Sequence, residues 1–328
     1  MIKQQAVKSK ILSLVLFLQL ALFQVVGAVD PPKAAERKPG QYDVAITRQV
    51  VDFMTRYHFD KKHRTLDEEK ARFFLETYIK GLDNLNLFFL QSDVDQFMAF
   101  TKDLGVKTRN GDITLAHMIF DMFMQRLEEN HQFANKMLDT HTFEFTDEAR
   151  YLVNRRDAEP PKDNAEQREL WKTRLRYEYL QEKLNKTEHD EIIKTLKRRY
   201  ERVHRYFREL DGDDVLQLYL SSLTRSYDPH SDYMGRHELD NFEISMKLSL
   251  QGIGALLSSP DGTCEIVRVI PGGPAAKSKK VHSKDKIVAV GQADEEPVDV
   301  VDMPLKKVVD LIRGAKGTEV RLTIIPAN

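Results

Sequence analysis

Apolar positions recur at helical spacing over most of this chain and then switch to alternation near its end. Ile46, Val50, Phe53, Met54 and Tyr57 follow i, i+4, i+7, i+8, i+11 and predict a first helix with those residues on its buried face. Thr65-Leu66-Asp67-Glu68 has the pattern of a capping box. The helix it opens should bury Ala71, Phe74, Leu75, Tyr78, Ile79 and Leu82. Ser92-Asp93-Val94-Asp95 starts another, carrying Val94, Phe97, Met98 and Leu104, with Gly105 as its stop. Ile113 to Leu138 reads as one long helix with Leu115, Met118, Ile119, Met122, Phe123 and Leu127 on a common face. Such a methionine and phenylalanine stripe is expected in a core, where Met fills gaps.

Pro160 and Pro161 interrupt the pattern, which resumes around Leu170, Trp171 and Leu175. Thr187-Glu188-His189-Asp190 caps a further helix. Its expected core face is Ile192, Ile193, Leu196, Tyr200, Val203, Phe207 and Leu210, with Lys194, Lys197, Arg198, Arg202 and Arg205 solvated opposite. Asp211-Gly212-Asp213-Asp214 lacks the spacing of a calcium loop and reads as a turn with a helix N-cap. Asp228-Pro229-His230-Ser231 reads as a structural turn in which Asp228 and Ser231 bond backbone amides. From about Ser249 the period becomes that of short strands and glycine turns, with one helix from Met303 to Ile312. The expected fold is a mostly α N-terminal domain followed by a small α+β domain, with the boundary between Glu238 and Lys247.

The first residues carry a different pattern. Lys3, Lys8 and Lys10 precede an apolar run from Ile11 to Val26, and Val26-Gly27-Ala28 supplies small residues. This predicts a cleaved export signal over 1–28 and a mature chain beginning near Val29, followed by a proline-bearing linker over 29–40. The 328 residues then leave room for two domains, 41–240 and 241–328. Export implies an oxidising compartment, yet the single cysteine, Cys264, excludes an intrachain disulfide, so packing must stabilise the fold. Its alternating surroundings mark it as a buried thiol. A formal net charge of -1 argues against a nucleic-acid partner.

Candidate catalytic chemistry is sparse. There is no H-E-x-x-H, no G-x-S-x-G, and Gly252-Ile253-Gly254 lacks the rest of a dinucleotide fingerprint. The ten histidines are scattered, and His58 with His63 straddles a helix end, so neither a metal nor another cofactor is expected. Residues 228–231 lie consecutively on an extended segment and cannot build a triad by themselves. No catalytic residue is expected in this chain.

A binding site is better marked. Leu250, Gln251, Gly252, Ile253 and Gly254 form a strand entrance where absent Cβ atoms let backbone amides gather around a negative group. A peptide added as a strand would place its terminal carboxylate there. Ile253 and Leu256, with Leu305, Val308, Val309 and Ile312 of the late amphipathic helix, would surround its last side chain.

Three motifs carry a resemblance to a known family: Ser249-Leu250-Gln251-Gly252-Ile253-Gly254-Ala255, Gly272-Gly273-Pro274-Ala275-Ala276-Lys277-Ser278, and Leu311-Ile312-Arg313-Gly314 followed by Lys316-Gly317. With Asp83 to Phe97, Thr187 to Arg199 and the Asp228-Pro229-His230 turn, they make the chain resemble the tail-specific, carboxyl-terminal processing serine peptidases of the bacterial periplasm from about Tyr42 onward. The resemblance implies a helical N-terminal domain, then a PDZ domain from about Phe242 that captures the C-terminal tails of substrate proteins through Leu250 to Gly254. It implies a serine nucleophile and lysine base in a following domain that these residues do not include, and a PDZ domain lacking its last strand. A downstream protease domain is therefore an expected partner, and nucleic acid and, after signal cleavage, membrane are not. The alternative is a stand-alone, non-catalytic peptide-binding adaptor of the cell envelope. Where the family has Gly-Asp this chain has Lys284-Asp285, so a side chain occupies a turn position suited to positive φ.

Overall fold

The computed structural model describes residues 40–61, 64–145, 149–236, 238–239, 242–243, 252–260, 262–293, 295–301, 303–314 and 317–327. The expected export signal, most of the linker and His63 lie outside the described residues. The chain divides into two units, Met1–Tyr233 and Met234–Asn328.

The first unit is helical: α1 (Gln41–Tyr57), α2 (Glu68–Leu82), α3 (Gln91–Met98), α4 (Thr101–Arg109), α5 (Thr114–Thr140), α6 (Asn164–Leu184), α7 (His189–Glu209) and α8 (Gly212–Arg225). Helix α2 packs against α4 and α8, and α5 against α6 and α7. As the spacing predicts, α2 buries Ala71, Phe74, Leu75, Tyr78, Ile79 and Leu82. They join Ile119, Phe120, Phe123 and Tyr219 in one apolar core, while Trp171, Leu175, Ile192, Leu196 and Tyr200 form a second between α6 and α7.

Buried polar groups fix the turns between these helices. Asp83 accepts the amides of Leu87, Phe88 and Phe89 at 2.8, 2.8 and 2.9 Å, and the Trp171 indole N–H reaches the Leu87 carbonyl at 2.9 Å. Arg126 on α5 grips Asp93 on α3 with two N–H donors at 2.9 and 3.0 Å. This forked geometry orients both planes, which a lysine in that position could not do.

Several local expectations are corrected. In α1 the deeply buried face is Asp43, Thr47, Val51 and Met54, whereas Phe53 and Tyr57 are exposed. Apolarity places Met54, and Ile46 and Val50 pack against the core, but it misses Asp43, which turns inward and accepts the Gly40 amide at 2.8 Å. The cap of α2 is Asp67, which accepts from the Lys70 amide, two residues beyond Thr65. Gly105 does not stop a helix: it lies buried inside α4, where a Cβ would come within 2.6 Å of the Leu66 carbonyl oxygen. On α7 Val203 is exposed, His204 takes the buried position after Tyr200, and the N-cap Glu188 makes no side-chain capping bond. The basic residues of α7 are partly paired rather than simply solvated: Arg199 meets Glu178 and Glu182, and Lys197 meets Asp139.

The turn after α8 also holds more than local bonds. Asp228 Oδ1 accepts the His230 amide at 2.8 Å, and Oδ2 accepts the Ser231 hydroxyl, so Ser231 bonds the carboxylate and not an amide through its side chain. The same Oδ2 lies 2.8 Å from Nε2 of His58, the C-cap of α1. His230 points outward, its side chain 92% exposed.

The second unit contains a five-stranded sheet, and its elements from Ala255 onward are β1 (Ala255–Ser258), β2 (Cys264–Val269), α9 (Pro274–Ser278), β3 (Lys286–Gln292), β4 (Val298–Asp299), α10 (Leu305–Ile312) and β5 (Val320–Ile325). The order is β1-β2-β3-β4, with β5 pairing β3, and every pairing is antiparallel. Cys264, Ile266, Ile287, Val290, Val300, Val308 and Ile312 form its core. Burial pushes the Cys264 thiol up to about 11, so it stays protonated and inert at neutral pH. The sequence expectation of one helix here is corrected by α9, whose Gly273 N-cap and Pro274 at the first helical position are a standard start signal. Among the described residues no helix is long and apolar enough to cross a membrane.

Lys284 adopts φ +72, the left-handed conformation that the sequence pattern foreshadows. Its amide is held by the Ile266 carbonyl at 2.7 Å, and the following Asp285 is buried, accepting the amides of His282 and Ala327 at 2.8 and 3.1 Å. The Lys284→Gly variant should stabilise this unit by about 1 kcal/mol, because glycine enters this region without the Cβ clash. A thermal melt that shifts downward would contradict that.

Asp228 is held well below the usual carboxylate range by the Ser231 hydroxyl, then by the His58 ring. A depressed folded pKa makes its contribution complete above the unfolded value of ~3.9 and lost as pH falls further. Asp228→Asn should therefore cost about 1–2 kcal/mol at pH 7, with the gap from wild type narrowing in urea denaturation below about pH 4. A gap that stays constant with pH would count against the charged anchor.

Candidate functional site

Strand β1 pairs only with β2 among the described residues, which leaves its other edge without a strand partner among them. Leading into it are Gly252, Ile253 and Gly254; Leu250 and Gln251 lie outside the described residues. Gly252 has φ +154 and Gly254 φ +74, backbone states that a β-branched residue does not readily take.

The two glycines serve different ends. A Cβ on Gly252 would meet nothing within 4 Å, so its face is open. A Cβ on Gly254 would lie 3.0 Å from the Gly273 Cα, and one on Gly273 would lie 3.1 Å from the Gly254 Cα. The glycine turn and the start of α9 thus meet backbone to backbone. Two hydrogen bonds close the contact: the Ile270 amide donates to the Gly254 carbonyl and the Ala275 amide to the Ile253 carbonyl, both at 2.8 Å. Those two carbonyls are engaged inside the fold. The amides of residues 252–254 donate to no backbone carbonyl among the described residues.

The side chains expected to line the pocket divide into two groups by burial. Leu256 is half-exposed on β1, and Ile253, Leu305 and Val309 are partly buried. Val308 and Ile312 are buried in the core beneath α10, which packs on β3, so they shape the helix's seat more than its outer surface. Residues 250–254 and the late helix were visible in the sequence. The Gly254–Gly273 contact was not, although the run Gly272-Gly273-Pro274 signalled a helix start that could have suggested it. Among the described residues, side chains with metal-ligating potential gather elsewhere, between α5 and α7.

Residues 50–237 match the family model for the tail specific protease N-terminal domain, and residues 241–325 that for the PDZ domain. A tail-specific protease of Haemophilus influenzae is 34% identical over 283 residues, which cover 86% of this chain and 40% of that protein. The carboxy-terminal processing protease CtpA of Bacillus subtilis is 31% identical over 137 residues, 41% of this chain and 28% of that protein. A crystal structure of the PDZ domain of a carboxy-terminal protease from Vibrio cholerae, in complex with peptide, is 46% identical, with a TM-score of 0.24 and coverage of 24% of this chain and 81% of that one. The chain therefore spans well under half the length of the two curated relatives. With a matched N-terminal domain that fills more than half of its residues, the chain belongs to the tail-specific protease family.

Proposed function

We propose that this chain is the substrate-recruiting part of an exported tail-specific serine protease. The C-terminal tail of another protein adds to the open edge of β1 as an antiparallel strand. Its carboxylate is received by main-chain amides of Leu250, Gln251, Gly252, Ile253 and Gly254. Its last side chain rests on Ile253, Leu256, Leu305 and Val309, with Val308 and Ile312 fixing the helix from below. The serine and lysine that cut belong to a domain outside these residues, so the chain by itself binds without cleaving. On this reading residues 1–28 direct export to the periplasm, 41–240 form the helical domain, and 241–328 form the PDZ domain.

The observation that supports this most is the division of labour at the turn. The carbonyls of Ile253 and Gly254 are used inward, and the amides of 252–254 have no backbone acceptor among the described residues beside an open strand edge. Donors arranged this way suit an anion better than a neutral group.

The direct test is fluorescence anisotropy with one labelled peptide bearing a free C-terminal carboxylate and its amidated twin. A charge-assisted contact of about 1.5–3 kcal/mol predicts at least ~10-fold tighter binding of the free acid. Equal affinities would end the tail-capture reading.

Two substitutions separate loop conformation from loop support. Gly252→Val should weaken the free-acid peptide while leaving the helical domain folded, since a β-branched side chain is strained at φ +154 and stands on the open face. Gly273→Ala tests the contact without a φ penalty, because Gly273 sits at φ -73. It should cost about 1–3 kcal/mol of stability from overpacking and weaken peptide binding in parallel. Binding left intact by both changes would show that the turn is not the receptor.

A further inference from the structure

The sequence leaves its histidines apparently scattered, but helix packing brings two of them together in a repeated pattern. Glu128 and His131 stand three residues apart on α5, and Glu201 and His204 three apart on α7, which packs against it. Each Glu-x-x-His pair presents both side chains on one face of its helix. The pairs then cross: His204 Nε2 lies 2.6 Å from Glu128 Oε2, and His131 Nε2 lies 3.2 Å from Glu201 Oε2. The two imidazoles stack with centroids 4.4 Å apart and planes 5° from parallel.

We propose that Glu128, His131, Glu201 and His204 form a binding site for a divalent zinc-class cation that clasps α5 to α7. Ligand atoms of Glu128, His131 and His204 already lie within 4.8 Å of one another. A tetrahedral cation with bonds of about 2.0–2.2 Å holds its ligand atoms roughly 3.3–3.6 Å apart, so modest side-chain rotation closes these three, and Glu201, 3.2 Å from His131, would supply the fourth. Two imidazoles and two carboxylates suit zinc by donor type, and paired Glu-x-x-His motifs from facing helices are a known way to build such a site.

Two further features point the same way. His204 is 5% exposed, and its Nδ1 has no hydrogen-bond partner, an unusual state for a buried polar atom. Beside His131 lies a cavity of about 120 Å³, lined also by Leu87, Leu127, Trp171 and Val203. It gives the His131 ring room to turn; Arg174 and Tyr200 line it as well.

Neighbouring amides also reach the cluster. The Gln132 amide donates to Glu128 at 2.7 Å and helps to fix its carboxylate. Asn135 Nδ2 lies 3.1 Å from His131 Nε2 and would have to yield to the metal.

The test uses the whole chain, freed of metal by a chelator, and titrates it with Zn²⁺ by calorimetry and with Co²⁺ by visible absorption. One equivalent should bind, and Co²⁺ should give the intense bands of a tetrahedral centre. Losing a direct ligand in His204→Asn should weaken binding by at least ~100-fold, beyond the 10–100-fold typical of groups one shell out. Because a buried substitution can unfold the helical unit, Glu201→Gln is the second probe; its side chain is 46% exposed, so the fold should tolerate it. It should weaken binding by at least ~10-fold and abolish most of the zinc-induced rise in melting temperature. His230→Ala, at an outward-facing side chain, should change nothing. If wild type takes up no stoichiometric metal, the crossed pairs are hydrogen bonds only and the proposal fails. It fails equally if Glu201→Gln binds as wild type does. The readout is metal content, so failure of the peptide-capture reading would leave this result untouched.

Discussion

The turn that leads into β1 rests on one close contact, the approach of Gly254 to Gly273 with no side chain between them. A single methyl group on either residue would fall about 3 Å from the other's Cα, closer than carbon atoms comfortably sit. That approach lets Ile270 and Ala275 donate to the two carbonyls of the turn. Once those carbonyls are engaged, the peptide planes are oriented and the following residues enter β1 in register with β2. The start of α9 is therefore structural support for the strand entrance, even though it has no role of its own in the chemistry.

The helical unit is organised by a different device, the buried polar residue that ties down a turn or reaches far along the chain. Asp83 collects three amides, Arg126 crosses to Asp93, and His58 meets Asp228 across 170 positions. Each leaves an unpaired buried group if its partner is removed, so each is costly to break. Apolar packing supplies the cohesion, and these pairs decide how the helices end and which turn faces which.

Local pattern made part of this legible. The face of α2 could be read residue by residue because its apolar positions are periodic and nothing polar competes with them. The face of α1 could not, since Asp43 and Thr47 go inward while Phe53 and Tyr57 remain outside, and hydropathy alone assigns them the opposite way. Gly105 shows the same limit for glycine: its reason is the Leu66 backbone, from a segment nearly forty residues earlier, and not a helix end. The strand entrance stood out through its glycines, yet what Gly254 is for emerges only when Gly273 is placed against it. The histidine pairs on α5 and α7 were invisible because each is ordinary on its own helix and gains meaning only across the interface.

The orientation of the Ile253 and Gly254 peptide groups has a consequence for traffic at this edge. Their two carbonyls already accept hydrogen bonds from Ala275 and Ile270, while their amides donate to no backbone carbonyl among the described residues. On the proposed tail-capture reading, an incoming amino end brings those amides only further hydrogens, whereas an acid end brings lone pairs. The main chain would then tell head from tail before any side chain was inspected.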